Sequence, residues 1–185
     1  TAYGKSKLLA ENYMQSKALP KDKKLYILRP TMIHGPGNKG NLNLLYKFIS
    51  NGVPYPLGSY DNQRSFLSIE NLNFLIEKIL NKDLDSGIFN VCDDKAVSTL
   101  ELIDLIAKSI NKKAKIFKVP KPMIRGIAKI GDILHLPFNS ERVEKLTETY
   151  MVSNDKIIKA LGVSLPVNSK EGLSRTFESF KGWNL

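Results

Sequence analysis

Cys92 is the only cysteine in the chain, so no internal disulfide and no cysteine-rich metal site can form. A reducing, cytoplasmic setting fits that usage, and a buried strand position is the plain role for Cys92. Histidine is almost as scarce: His34 and His135 alone give a metal site little to draw on, and no metal ligand is assigned. No apolar run reaches the roughly 18 residues of a membrane-crossing helix, and nothing reads as a targeting segment. Arginine is sparse among the 28 basic residues, with no arginine cluster, zinc-finger spacing or glycine-bounded aromatic motif, so basic composition alone makes no case for nucleic acid. The sequence also lacks G-x-G-x-x-G between a strand and a helix, G-K-[ST], internal repeats and low-complexity segments.

What is present belongs to a folded globular protein. The 185 residues are 42% hydrophobic with eight Phe and seven Tyr, enough for one domain, or one domain with part of another. The net charge of +10 is mostly lysine, which reads as solvated surface and draws anionic small molecules toward the protein.

Periodicity predicts an α/β chain. A helix runs from Tyr3 to about Lys17, and Leu25 to Arg29 reads as a buried strand, the pairing expected near the end of a parallel sheet. After the Gly/Pro loop from His34 to Gly40, helical spacing resumes from Asn41 to Ser50. Further helices are predicted at Glu70 to Leu80 (Leu72, Leu75, Ile76 and Ile79 inward), up to Ile110 after a cap at Ser98 or Thr99, Met123 to Leu134, Glu141 to Leu146, Asn154 to Leu161 with Gly162 as its C-cap, and Ser169 to Phe180. Arg64 to Ile69 alternates, while Gly87 to Cys92 and Lys115 to Val119 read as strands. Residues 123 to 134 have the apolar content and Lys129 of a membrane-surface helix, but packing over a substrate lobe is the reading adopted.

Tyr3-Gly4-Lys5-Ser6-Lys7 sets a phenol and an ammonium four residues apart on one helix face. A phenol is a poor base in water, and a neighbouring cation favours its ionised form, so the pair can manage a proton. Spacing alone does not distinguish this from an ordinary surface pair. With Leu28-Arg29-Pro30-Thr31-Met32-Ile33-His34-Gly35-Pro36-Gly37, then Asn62 to Leu72, then Gly87-Ile88-Phe89-Asn90-Val91, four landmarks stand in one order over almost the whole chain. In that order they resemble the extended short-chain dehydrogenase/reductase superfamily, in its NAD-dependent nucleotide-sugar epimerase/dehydratase branch.

The resemblance implies the last elements of a Rossmann-type parallel sheet plus a small α/β substrate-binding lobe. Residues 1–36 and parts of 60–95 would be Rossmann-type, and 37–59 with 96–185 mainly lobe. Tyr3 would be the catalytic acid/base and Lys7 would hold the nicotinamide ribose and tune Tyr3. Pro30 to Ile33 would flank the nicotinamide, with His34 a loop residue beside the cofactor. Asn41 and Arg64 would meet the substrate phosphates, and Arg142 would be a second phosphate or sugar contact; a guanidinium fork suits phosphate better than an ammonium. The cofactor would be NAD or NADP and the substrate a nucleotide-linked sugar, by its loops of the UDP-N-acetylhexosamine type, epimerised or reduced at C4. Neither nucleic acid nor a membrane is an expected partner, and the parent would be a homodimer through the Tyr3–Lys7 helix. In this family the glycine-rich loop precedes the catalytic tyrosine, so residues 1–185 read as a carboxy-terminal portion that by itself would neither hold cofactor normally nor turn over. The alternative is a non-catalytic nucleotide-sugar-binding module.

Overall fold

The computed structural model describes residues 2–135 and 139–181. Its elements in chain order are α1 (Ala2–Gln15), β1 (Tyr26–Pro30), β2 (Met32–His34), α2 (Asn41–Ser50), β3 (Gln63–Arg64), β4 (Phe66–Ser68), α3 (Ile69–Asn81), β5 (Gly87–Val91), β6 (Val97–Ser98) and α4 (Thr99–Ser109). Four helices follow: α5 (Lys121–Ile133), α6 (Ser140–Thr147), α7 (Asp155–Leu161) and α8 (Ser169–Ser179).

The strands form three two-stranded pieces. β1 and β5 are parallel, with Leu28 opposite Phe89 and Pro30 opposite Val91; β2 and β4 are parallel, with Ile33 opposite Leu67; β3 and β6 are antiparallel. The parallel pairs are the sheet expected from the helix-then-strand order of the amino terminus.

Two apolar cores flank β4. Phe66 packs with α2, α4, α5 and α8, whereas the next residue, Leu67, packs with α3, β5 and α7. Successive strand side chains point to opposite faces, so β4 is a wall shared by both cores. That is why Phe66, Leu67 and Ser68 are all buried and the alternation predicted for this stretch is absent. α7 joins the core of β1, β5 and α3 although it lies late in the chain, within the span read mainly as lobe.

The helix ends follow local chemistry. Ser68 caps α3 by accepting from Asn71 N, and Ser98 rather than Thr99 caps α4 in a reciprocal box with Glu101. Gly162 ends α7 in the left-handed conformation at φ 64°, where L side chains are strained. Two expectations fail. Lys115 to Val119 makes only isolated bridges, Ile116 to Tyr55 and Lys118 to Leu57, with Tyr55 N donating to Lys115 O, Phe117 N to Tyr55 O and Gly58 N to Phe117 O. Ile76, expected inward on α3, is exposed, while Leu75 and Ile79 carry the contact.

Candidate functional site

α1 carries the Tyr3–Lys7 pair on an open face. Lys7 Nζ lies 5.4 Å from the Tyr3 ring centroid, and Tyr3 is 72% exposed. No residue of α1 is buried. The Arg29 guanidinium fastens this helix to β1, its Nε reaching both Glu11 carboxylate oxygens at 3.1 Å. That hydrogen bond holds the Glu11 carboxyl below its ordinary value. The contact ties α1 to the end of β1, with Lys7 about one turn and Tyr3 about two turns along the helix from the tethered Glu11. Pro30, the last residue of β1, and Ile33, the middle residue of β2, are exposed.

His34 lies on β2 and is fully buried, which corrects the expectation of a loop position. Its Nδ1 is 2.9 Å from Thr176 Oγ1 on α8 and its Nε2 is 3.3 Å from Asp93 Oδ2. The Thr176 hydroxyl donates to Gly172 O at 2.9 Å, which leaves its oxygen to accept from His34 Nδ1. Asp93 Oδ1 also accepts from Ser68 N at 2.9 Å and Asn71 Nδ2 at 2.7 Å. Asn71 closes the knot by donating to Val167 O at 2.8 Å and accepting from Val167 N at 3.2 Å. These four side chains, with the backbone of Ser68 and Val167, pin β2, β4, α3 and α8 where the two cores meet. No spacing in the chain signals the knot, since its members are up to 142 residues apart.

Arg64 is on β3, and its guanidinium is turned onto the carboxyl end of α6. Nε donates to Glu148 O at 3.3 Å and Nη2 donates to Lys145 O, satisfying carbonyls that a helix end leaves open. Asn62, buried beside it, donates to Leu146 O at 3.2 Å. The Nη1 donors of Arg64 make no hydrogen bond among the described residues and are available to an anion. Arg64 also faces Tyr55: burial pushes that phenol up to about 12, against the opposing pull of the Arg64 charge. Arg142, exposed on α6, lies three residues before Lys145, so Arg64 is bonded to the helix that carries Arg142.

Asn41 is the exposed first residue of α2, after Gly40 in extended backbone with no side-chain cap. Two positions on, Asn43 is buried; its amide donates to Asn38 O, but its Oδ1 has no partner. Thr31 Oγ1, one residue past Pro30, and the Tyr60 hydroxyl are likewise buried and unpartnered. Such atoms normally find a partner in protein or ordered water. Thr31 lies within a quoted motif, but no pattern distinguished Asn43 or Tyr60. Among the described residues no cluster of three His, Cys, Asp or Glu side chains could hold a metal ion, and no helix is long and apolar enough to cross a membrane.

No protein-family model matches the chain. It is 31% identical over 180 residues to a UDP-glucose 4-epimerase of Vibrio cholerae, covering 96% of this chain and 53% of that protein. It is 29% identical over 185 residues to an N-acetyl-alpha-D-glucosaminyl-diphospho-ditrans,octacis-undecaprenol 4-epimerase of Escherichia coli O157:H7, covering 95% and 56%. A dTDP-4-dehydro-6-deoxyglucose reductase of Escherichia coli is 28% identical over 121 residues, or 62% of this chain and 38% of that protein. The fold matches the Bordetella bronchiseptica enzyme WbmG, solved with NAD and UDP, at a TM-score of 0.68 and 18% identity over 97% of this chain and 50% of that one. The chain spans about half the length of the curated relatives it matches over its whole extent.

Proposed function

Because this chain belongs to the extended short-chain dehydrogenase/reductase superfamily, in its nucleotide-sugar epimerase/dehydratase branch, we propose that it serves NAD(P)-dependent chemistry at C4 of a diphosphate-linked sugar, by epimerisation or by reduction of a 4-keto group. The observation that carries the proposal is the open Tyr3–Lys7 pair on a helix tied beside Pro30, in a chain 31% identical to a sugar 4-epimerase along 96% of its length.

The residues fit a dinucleotide. Tyr3 and Lys7 present a phenol and an ammonium on one open face, and Thr31 Oγ1 is an unused polar atom just past Pro30. When bound, the nicotinamide supplies hydride acceptance and return. Tyr3, as the phenolate that the Lys7 charge favours, takes the proton from the sugar O4 to become the neutral phenol and then gives it back. Arg64 holds the diphosphate through its Nη1 donors, with α6 fixing the plane of the guanidinium, and Arg142 on that helix is a second contact. Asn41 and Asn43 at the start of α2 complete the polar side of the site. His34 acts through the fold, since its ring is closed off from ligand by Asp93 and Thr176.

The substrate is of the UDP-N-acetylhexosamine type or the same sugar diphosphate on another carrier, because the Arg64 fork reads the diphosphate and not what lies beyond it. The test pairs NAD(P)H absorbance with product NMR, supplying a UDP-N-acetylhexosamine or its 4-keto-6-deoxy derivative. Interconversion of C4 epimers without net cofactor use identifies an epimerase, stoichiometric oxidation of NAD(P)H identifies a reductase, and Tyr3→Phe abolishes either. UDP binding that needs Arg64 but is accompanied by no turnover would replace the catalytic reading with that of a binding module.

A further inference from the structure

α5 does not bury the face that its sequence offers. Ile124, Ala128 and Gly131 are its buried residues, whereas Met123 is 58% exposed, Ile127 51%, Ile130 56% and Leu134 60%. With about 100° between successive helix residues, those four side chains fall within roughly 60° of one another in a continuous stripe. Packing over the lobe, the role expected from sequence, therefore accounts for only one edge of the helix.

Charge says what the stripe fits. Lys121, Arg125 and Lys129 form a second line along α5, roughly opposite the apolar one. The helix's single acid, Asp132, is engaged by Ser140, accepting from its N at 2.9 Å and its Oγ at 2.6 Å. An exposed helix with aliphatic side chains on one side and cations on the other is the form that lies in the plane of a bilayer surface. A second copy of the chain fits poorly. The stripe is one helix wide against the about 800 Å² per partner of a standard interface, and each copy carries a net charge of +10.

We propose that α5 docks this protein on an anionic lipid bilayer, with Met123, Ile127, Ile130 and Leu134 seated among the acyl chains and Arg125 and Lys129 drawn to the headgroup charge.

The experiment is co-sedimentation of the 185-residue chain with vesicles of equal parts phosphatidylglycerol and phosphatidylcholine, beside vesicles of phosphatidylcholine alone. Binding is expected to the anionic vesicles, with weakening in salt. Ile127→Glu with Ile130→Glu should abolish it, and both positions are exposed enough that the circular dichroism spectrum stays unchanged. Arg125→Gln with Lys129→Gln should lower partitioning roughly thirtyfold, from the about fivefold that each basic residue contributes near such a surface. Hydrogen exchange along α5 should slow on the vesicles. Absence of sedimentation at low salt overturns the proposal, as does binding indifferent to the Ile127/Ile130 pair. A concentration-dependent dimer that this pair dissolves would assign the stripe to a second copy instead. No sugar or cofactor enters the assay, so its failure leaves the C4 chemistry untouched, and failure of the turnover assay leaves vesicle binding untouched.

Discussion

Replacing Asn71 by alanine removes the hub of the buried knot, and its cost can be worked from the hydrogen bonds. The side chain donates to the Asp93 carboxylate at 2.7 Å and to Val167 O at 2.8 Å, and accepts from Val167 N at 3.2 Å, all without solvent contact. A bond to a charged group contributes about 1.5–3 kcal/mol and each neutral one about 1 kcal/mol, and the stranded partners keep their desolvation cost. The expected loss is about 4 kcal/mol, which lowers the melting temperature by roughly 10 °C in a chain of this size. Urea titration followed by far-UV circular dichroism measures it. Asn81→Ala is the matched control: its amide bonds only Glu77 O on the exposed face of the same helix, and its removal should cost less than about 0.5 kcal/mol. A loss below about 1 kcal/mol for Asn71→Ala, with an unchanged urea slope, would refute the view that this knot holds the two cores together.

Ser98→Ala breaks the capping box of α4 and should cost about 1 kcal/mol in the same titration, with Thr99→Ala leaving the cap intact. Gly58→Ala should destabilise by about 1–3 kcal/mol, because a Cβ there would lie 2.6 Å from Ile116 Cγ2 and 2.9 Å from Phe117 O; a neutral result in a thermal melt would contradict this packing. Burial pushes the Cys92 thiol up to about 11 from 9.0, so the folded state keeps a proton that the unfolded chain has released. Its stabilisation is whole below pH 9 and is lost as pH rises toward 11, at a limiting slope of about 1.4 kcal/mol per pH unit. Urea midpoints measured across that window should fall less steeply in Cys92→Ala.

The seam between the cores explains why some parts of the site were legible and others were not. Tyr3, Lys7 and the run from Leu28 to Gly37 announce themselves because four-residue helical spacing and a strand followed by a Gly/Pro loop are local patterns. The caps at Ser98 and Gly162 belong to the same class, since each acts within a few residues. Nothing local could show that His34 turns inward. Its two partners come from residue 93 and from α8, and a histidine beside glycine and proline looks like a loop residue until they are in place. Nor could local pattern show that Arg64 binds the carboxyl end of a helix 81 residues later.

Chain chemistry by itself determined which segments are helical, where several of them stop, the parallel pairing implied by helix followed by strand, and the order of landmarks that marks the superfamily. Those features depend on propensity, capping and periodicity, which act over one or two turns. Tertiary structure alone decided that β4 is a wall between two cores, that Asp93 and Asn71 tie that wall to α8, and that one apolar stripe of α5 faces outward. Burial is a property of the space around a residue, and an amphipathic stripe reads the same whether a core or a lipid surface is to cover it.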